Sequence, residues 1–263
     1  MVNVEYLIAT INRNDMLFLK KMNISDRSIV LNQNGKNNVM YSGNNIMFST
    51  DTKGVGINRN LGLMLTNAEY AFIVDDDMVF YDKANALMER ALHLHPDADV
   101  IIFNFDYVKD GEVIKPRMKM AGSVNISNCL KYGICCTLIK MDSIRKRNIS
   151  FSTLFGGGCL YSCGEDSLFF LDCITKGLRV YTYIEAIGKN VYRESTWFRG
   201  YNEKFFFDKG AWIACAFPKL KHIIKWYFIL RFVKISSFPL DKITDLINCG
   251  IKGYKNMEIY QEK

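Results

Sequence analysis

GVGINRNLGLMLTNAEYAFIVDDD, residues 54–77, sets a helical pattern directly against a strand pattern. Ile57, Leu61, Met64 and Leu65 fall on one face of a helix, and Tyr70–Val74 is an apolar run of strand length. The strand delivers three carboxylates, Asp75, Asp76 and Asp77, at its end. Alternation along an extended backbone sends Asp75 and Asp77 to one side and Asp76 to the other. Carboxylates this close repel one another unless a cation sits among them. Hard oxygen ligands at that spacing suit Mg²⁺ or Mn²⁺ bridging a diphosphate; a solvated acidic turn is the plainer reading of a bare triplet. Upstream, Lys53–Gly62 opens the helix. Its glycines allow close backbone approach to an anion, the helix N-terminus favours negative charge, and Arg59 adds a forked donor. Arg59 occupies the third glycine position of a G-x-G-x-x-G fingerprint, so the segment is neither that motif nor a P-loop. On its own it reads as a turn and a helix cap.

Working outward, Val4–Ala9, Ser28–Leu31 and Ile46–Phe48 are further short apolar runs ending in polar residues. Their alternation with helical patterns predicts a largely parallel, doubly wound sheet with ligands beyond the carboxyl ends of the strands. Attention therefore goes to Asn12–Asp15, Asn32–Gln33, Asp51–Asn60 and Asp75–Asp77. Further on, Ala84–Leu94 reads as a helix, Val100–Phe105 as a buried strand and Lys109–Glu112 as a turn. Ile134–Lys140 is strand-like, and Asp142 starts a short basic helix. Phe155–Cys163 is a glycine-rich loop, and Glu165–Lys176 a helix closed by Gly177. Arg179–Tyr183 and Ala186–Tyr192 read as a pair of strands, and beyond Asn202 the pattern is helical and aromatic. Gly164-Glu165-Asp166 opens a helix, where the dipole favours an ionised carboxylate suited to accepting a proton, although acidic residues in a first turn are ordinary.

Hydrophobic residues make up 49% of the 263 and charged ones 23%, enough for a real core, with no linker, repeat or low-complexity tract. The net charge of +7 fits an anionic partner, a nucleotide diphosphate or a phospholipid surface. No nucleic-acid-binding motif accompanies it, so nucleic acid is not an expected partner. The eight cysteines form no pair of C-x-x-C knuckles, which argues against structural zinc. Val2–Ala9 reads directly as a strand rather than a signal peptide, so reduced thiols and a cytoplasmic location are expected. Lys219–Lys234, KLKHIIKWYFILRFVK, mixes cations with aromatics. It suggests a helix lying on an anionic membrane surface at the inner face of the plasma membrane, or one packed on the catalytic domain or a partner subunit.

Together these pieces resemble glycosyltransferase family 2, in its bacterial polysaccharide-forming subset. The carrying motifs are the G-x-x-x-x-R-N-x-G helix, the following strand with its DxD, and the G-E-D segment. The resemblance runs from about Val4 to Trp212. It implies an α/β, GT-A fold (Rossmann-like, a mostly parallel sheet with flanking helices) plus a C-terminal helical extension. The catalytic domain would occupy 1–200, divided into a donor-binding half at about 1–105 and an acceptor-binding half at about 106–200, with 201–263 helical. By position, Asp75, Asp76, Arg59 and Asn60 match donor-binding residues, and Thr10 and Asn32 nucleoside contacts. Asp77 and Asp75 match metal ligands. Glu194 stands where many members carry a metal-binding His. Asp166 matches the general base, with Glu165 beside it, and Trp197 and Tyr201 are candidates for stacking on an acceptor sugar, buried aromatics being the plainer reading. The activity implied is inverting transfer of a sugar, with Mn²⁺ or Mg²⁺, from a nucleotide diphosphate-sugar, UDP-sugar above all. The acceptor implied is a glycan or lipid-linked oligosaccharide in cell-surface polysaccharide synthesis. Two rivals are a sugar-phosphate nucleotidyltransferase and a non-catalytic sugar- or lipid-binding subunit. The first needs a glycine-rich N-terminal loop that ATINRNDM lacks; the second does not need Asp75, Asp77 and Asp166 intact.

Overall fold

The computed structural model describes residues 2–24, 26–191 and 200–261. The chain opens with β1 (Val4–Ile11), α1 (Phe18–Met22), β2 (Ser28–Gln33), β3 (Asn38–Ser42), β4 (Asn45–Thr50), α2 (Val55–Leu65) and β5 (Tyr70–Asp75). It continues through β6 (Met78–Phe80), α3 (Ala84–Leu94), β7 (Val100–Lys109), β8 (Glu112–Pro116), β9 (Gly122–Val124), β10 (Thr137–Lys140) and α4 (Met141–Lys146). Next come α5 (Glu165–Thr175), β11 (Val180–Val191), α6 (Glu203–Ala216), α7 (Lys221–Val233) and α8 (Leu240–Gly253). Two compact units result: Met1–Phe151 with Asp166–Arg193, and Ser152–Glu165 with Glu194–Lys263.

The first unit holds a sheet in the order β3-β4-β2-β1-β5-β10-β7-β11-β6, with β8 on β7 and β9 on β11. The pairs β4/β2, β2/β1, β1/β5 and β7/β11 are parallel, as the βα alternation predicts. β3 pairs antiparallel with β4 at one edge and β10 enters antiparallel to both β5 and β7, so the sheet is mixed rather than mostly parallel as expected. An apolar run carries no mark of strand direction, which is why sequence alone does not show this. Side chains alternate about the sheet. Tyr6, Phe72, Phe80, Phe103 and Tyr183 form a chain of rings with centroids 5.3–5.8 Å apart, in one core with residues of α1 and α3. On the opposite face α2 lies so close that a Cβ at Gly62 would sit 2.6 Å from Leu31 and 3.2 Å from Leu7.

Two sequence expectations need correction here. Ile134–Lys140 is not one strand: the ladder begins only at Thr137. Arg117 donates to the carbonyls of Gly133 and Cys135, and buried Cys136 adopts a left-handed φ of 58°, so the preceding residues form a loop. Likewise Val180–Val191 is a single strand whose register with β7 slips twice around Ala186, where two strands were expected.

In the second unit, the glycine-rich loop joins the C-terminal helices. Buried Phe155 and Tyr161 stack at 4.8 Å and both meet Tyr254. Ser162 donates its N–H (2.9 Å) and hydroxyl (2.6 Å) to buried Asp208. The helices α6 and α8 cross at paired glycines. A Cβ at Gly210 would lie 2.2 Å from the Ile247 carbonyl oxygen, and one at Gly250 only 1.9 Å from that of Phe207.

Candidate active site

Parallel register sets the carboxyl ends of β1, β2 and β5 level. Thr10 lies opposite Asn32, and Ala9 opposite Asp75. β5 ends at Asp75, so Asp76 and Asp77 follow in a turn rather than along extended backbone. The three carboxylates consequently meet three different sets of partners.

Asp76 turns toward β1. Thr10 donates its hydroxyl to Asp76 Oδ2 at 2.5 Å, and Arg13 reaches the same oxygen from Nη2 (2.5 Å) and Nε (2.9 Å). Sequence reading singles out Asn12–Asp15 at the end of β1 but gives Arg13 no role; the signal available is a cation in the N-R-N-D loop, facing an acidic triplet. Arg13 also lies 4.7 Å over the Phe18 ring. Its backbone is clasped by Asn32, whose Oδ1 accepts from Arg13 N at 3.0 Å and whose Nδ2 donates to Arg13 O at 2.9 Å and Ser49 Oγ at 2.9 Å. Asn32 is fully buried, and its side chain shapes the loop after β1.

Asp75 turns toward α2 and α5. Arg59 is 6% exposed and forms ion pairs from Nη1 to Asp166 Oδ1 at 2.8 Å and from Nη2 to Asp75 Oδ1 at 3.5 Å. Its guanidinium also lies 5.5 Å from the Phe151 ring centroid. The fork expected to hold a phosphate is thus directed at two carboxylates, one of them 107 residues further along the chain. The neighbouring Asn60 is equally committed. It donates to Phe151 O at 2.9 Å and accepts from Phe151 N at 2.8 Å, joining α2 to the segment after α4 rather than facing a donor.

Asp166, in the first turn of α5, accepts from Arg59 on one oxygen and from Ile134 N (3.0 Å) on the other, and its side chain remains 29% exposed. The loop that supplies this N–H is held by Arg117, which donates to the carbonyls of Phe103, Gly133 and Cys135. Arg117 is a second arginine that sequence reading missed, because nothing local distinguishes it from a surface cation. Glu165 begins the same helix, half-buried.

Asp77 turns toward β11, accepting from Asn190 Nδ2 at 2.8 Å. Burial and then the neighbouring Asp75 and Asp76 charges push its pKa above the ordinary carboxylate value, against the Asn190 bond. Asp75 is also pushed up, first by burial and then by Asp166 and Asp76, with Arg59 opposing. Among the described residues no set of three His, Cys, Asp or Glu side chains is arranged to hold a metal. Asp75 and Asp77 alone would leave most of a cation's ligands to be supplied by phosphate and water oxygens, as is usual for Mg²⁺.

Glu194 and Trp197 lie outside the described residues. Tyr201 belongs to an aromatic cluster of the second unit, 5.2 Å from Phe205 and 5.8 Å from Phe232, which is the plainer of its two readings.

No family model matches this chain, and no curated protein matches it in sequence. Among solved structures it is similar to S. aureus TarS. TarS 1–349 in complex with UDP-GlcNAc gives a TM-score of 0.59 at 14% identity, over 97% of this chain and 72% of that one. The same fragment with UDP gives 0.56 at 14% identity over the same shares. Longer TarS gives 0.55 at 12% identity, over 97% of this chain and 43% of that one. Identity this low bears on architecture alone: the chain has an α/β, GT-A-like glycosyltransferase fold.

Proposed function

We propose that the chain is an inverting glycosyltransferase that moves a sugar from a UDP-sugar to a hydroxyl of a glycan or lipid-linked glycan. The observation that carries this reading is the Asp75–Arg59–Asp166 connection. It joins the end of the donor strand to a carboxylate on α5, on a fold whose solved neighbour was crystallised with UDP-GlcNAc and with UDP.

In this reading the acceptor hydroxyl attacks the anomeric carbon as its bond to the diphosphate breaks. The hydroxyl proton passes to Asp166, and the electron pair of the broken bond leaves with UDP. Arg59 and Ile134 N hold Asp166 with one donor on each oxygen, and its exposed part leaves room for an acceptor oxygen. Arg117 acts at one remove by fixing the Gly133–Cys135 carbonyls. Asp75 and Asp77 would hold Mn²⁺ or Mg²⁺, whose charge, when bound, stabilises the leaving diphosphate. Thr10 and Arg13 hold Asp76, which leaves Asp75 and Asp77 as the carboxylates that would hold the ion.

Donor hydrolysis, measured across a panel of nucleotide sugars with Mn²⁺, tests the reading. Hydrolysis of one UDP-sugar that chelator abolishes supports it. Binding of UDP with equal affinity in Mn²⁺ and in chelator would remove the metal from it, and no turnover of any nucleotide sugar would overturn it.

A further inference from the structure

In the second unit α7 is apolar on two opposite sides. Phe228, Ile229 and Phe232 are buried and face inward. At about 100° per residue the opposite side carries Ile223, Trp226, Tyr227, Leu230 and Val233. These are 69%, 45%, 59%, 58% and 37% exposed. Isolated exposed apolar residues are ordinary, but a helix apolar all round is normally enclosed. Leu220 before the helix and Ile235 after it, 52% and 49% exposed, lengthen the stripe.

The charge around this stripe is of one sign. From Lys209 to Leu240 there are six Lys or Arg and no Asp or Glu. Sequence periodicity alone scatters these cations around the helix, and the structure sorts them. Lys225 turns inward to donate to Asn248 at 2.9 Å, while Arg231 and Lys234 stay exposed at the rim of the apolar stripe.

We propose that the outward face of α7 docks on an anionic lipid bilayer, lying in the headgroup region. Exposed aliphatic side chains enter the acyl boundary, Trp226 and Tyr227 suit the interface with an apolar body and a polar tip, and Arg231 and Lys234 extend to lipid phosphates. Among the described residues no helix is long and apolar enough to cross a membrane, and α7, about 20 Å long, would lie flat. A second copy fits this surface less well. A two-fold contact sets each patch against itself, and would bring Arg231 and Lys234 of both copies together, with no Asp or Glu between Lys209 and Leu240 to pair them. The inference concerns the C-terminal unit and does not rest on the transferase reading.

Co-sedimentation of the full chain with vesicles tests it. Expected is binding to vesicles of phosphatidylcholine with phosphatidylglycerol, little binding to phosphatidylcholine alone, and loss of binding at high salt. Trp226→Ser with Leu230→Gln should lower partitioning by about tenfold or more. Arg231→Gln with Lys234→Gln should also lower it by about tenfold. All four positions are exposed, so unchanged melting temperatures should accompany both losses. Absence of binding to the anionic vesicles would overturn the proposal. So would sedimentation velocity showing a dimer that Leu230→Gln dissociates, since a second copy would then own the face.

Discussion

The strand-end site and the C-terminal helices handle charge in opposite ways. At the end of β5, six ionisable groups gather: Asp75 from the strand, Asp76 and Asp77 from the turn after it, Asp166 from α5, Arg59 among them, and Arg13 on the outer side. In the helical unit Asp208 is buried and Lys209 is ringed by Trp212 (4.7 Å) and Phe228 (5.5 Å), with burial lowering its pKa, while aliphatic and aromatic side chains point to solvent on α7. Neither arrangement is what an isolated, self-sufficient domain would choose. Clustered like charge lowers stability until a cation arrives, and exposed apolar surface does so until something covers it. In the readings proposed above, a cation would complete the first and a lipid surface would cover the second.

Four substitutions test this contrast, from the largest expected effect to the smallest. Asp166→Asn keeps the shape of the side chain and removes its basic oxygen. Transfer should fall by at least about 10²-fold with UDP affinity almost unchanged. Full turnover with a lowered melting temperature would make Asp166 only a helix-end carboxylate and shift attention to Glu165.

Gly250→Ala probes the helical unit, where packing and not charge carries the structure. The added methyl would meet the Phe207 carbonyl, so α6 and α8 must separate. A loss of about 3 kcal/mol by denaturant titration is expected. A loss under about 0.5 kcal/mol would mean the crossing can relax freely.

Arg59→Met is expected to cost about 2 kcal/mol, less than a wholly buried pair because both carboxylates are partly exposed. It should also lower turnover more than it raises the donor KM, because Asp166 loses its positioning partner. A change confined to KM would return Arg59 to direct phosphate binding.

Asp77→Asn should raise the melting temperature of the metal-free chain slightly while removing Mn²⁺-dependent UDP binding. The sign follows from the raised pKa values of Asp75 and Asp77. In the window between the unfolded carboxylate value and the raised folded values, the native state binds more protons. Stability therefore falls as pH rises through that window and is level above it. The substitution should flatten this slope, read from melting curves taken across acidic pH. An unchanged slope would locate the repulsion elsewhere.

The amino-acid sequence by itself determined the elements whose residues differ from their neighbours in periodicity or end in chemically distinct groups. The strands at Val4, Ser28 and Tyr70, the helices over 55–65 and 84–94, and the acidic strand end all match patterns a few residues long, although α2 buries Gly56, Asn58, Arg59, Gly62 and Leu63 and leaves Met64 of its apolar stripe exposed. Asp75, Asp77 and Asp166 stood out because charge at the end of an apolar run, or at the first turn of a helix, is a local signal. Partnership is not local. Arg59 is bound to a carboxylate 107 residues away, and Asn60 to backbone 91 residues away. The first was read as a phosphate donor and the second as a donor contact because sequence shows only what a side chain can do. Arg13 and Arg117 were missed for the same reason. The direction of β10, the return of the 152–165 loop to the C-terminal helices, and the inward turn of Lys225 on α7 were decided only by the tertiary structure. Each depends on which long-range contacts best compensate buried polar groups and enclose apolar ones, a choice made across the whole fold that no window of neighbouring residues contains.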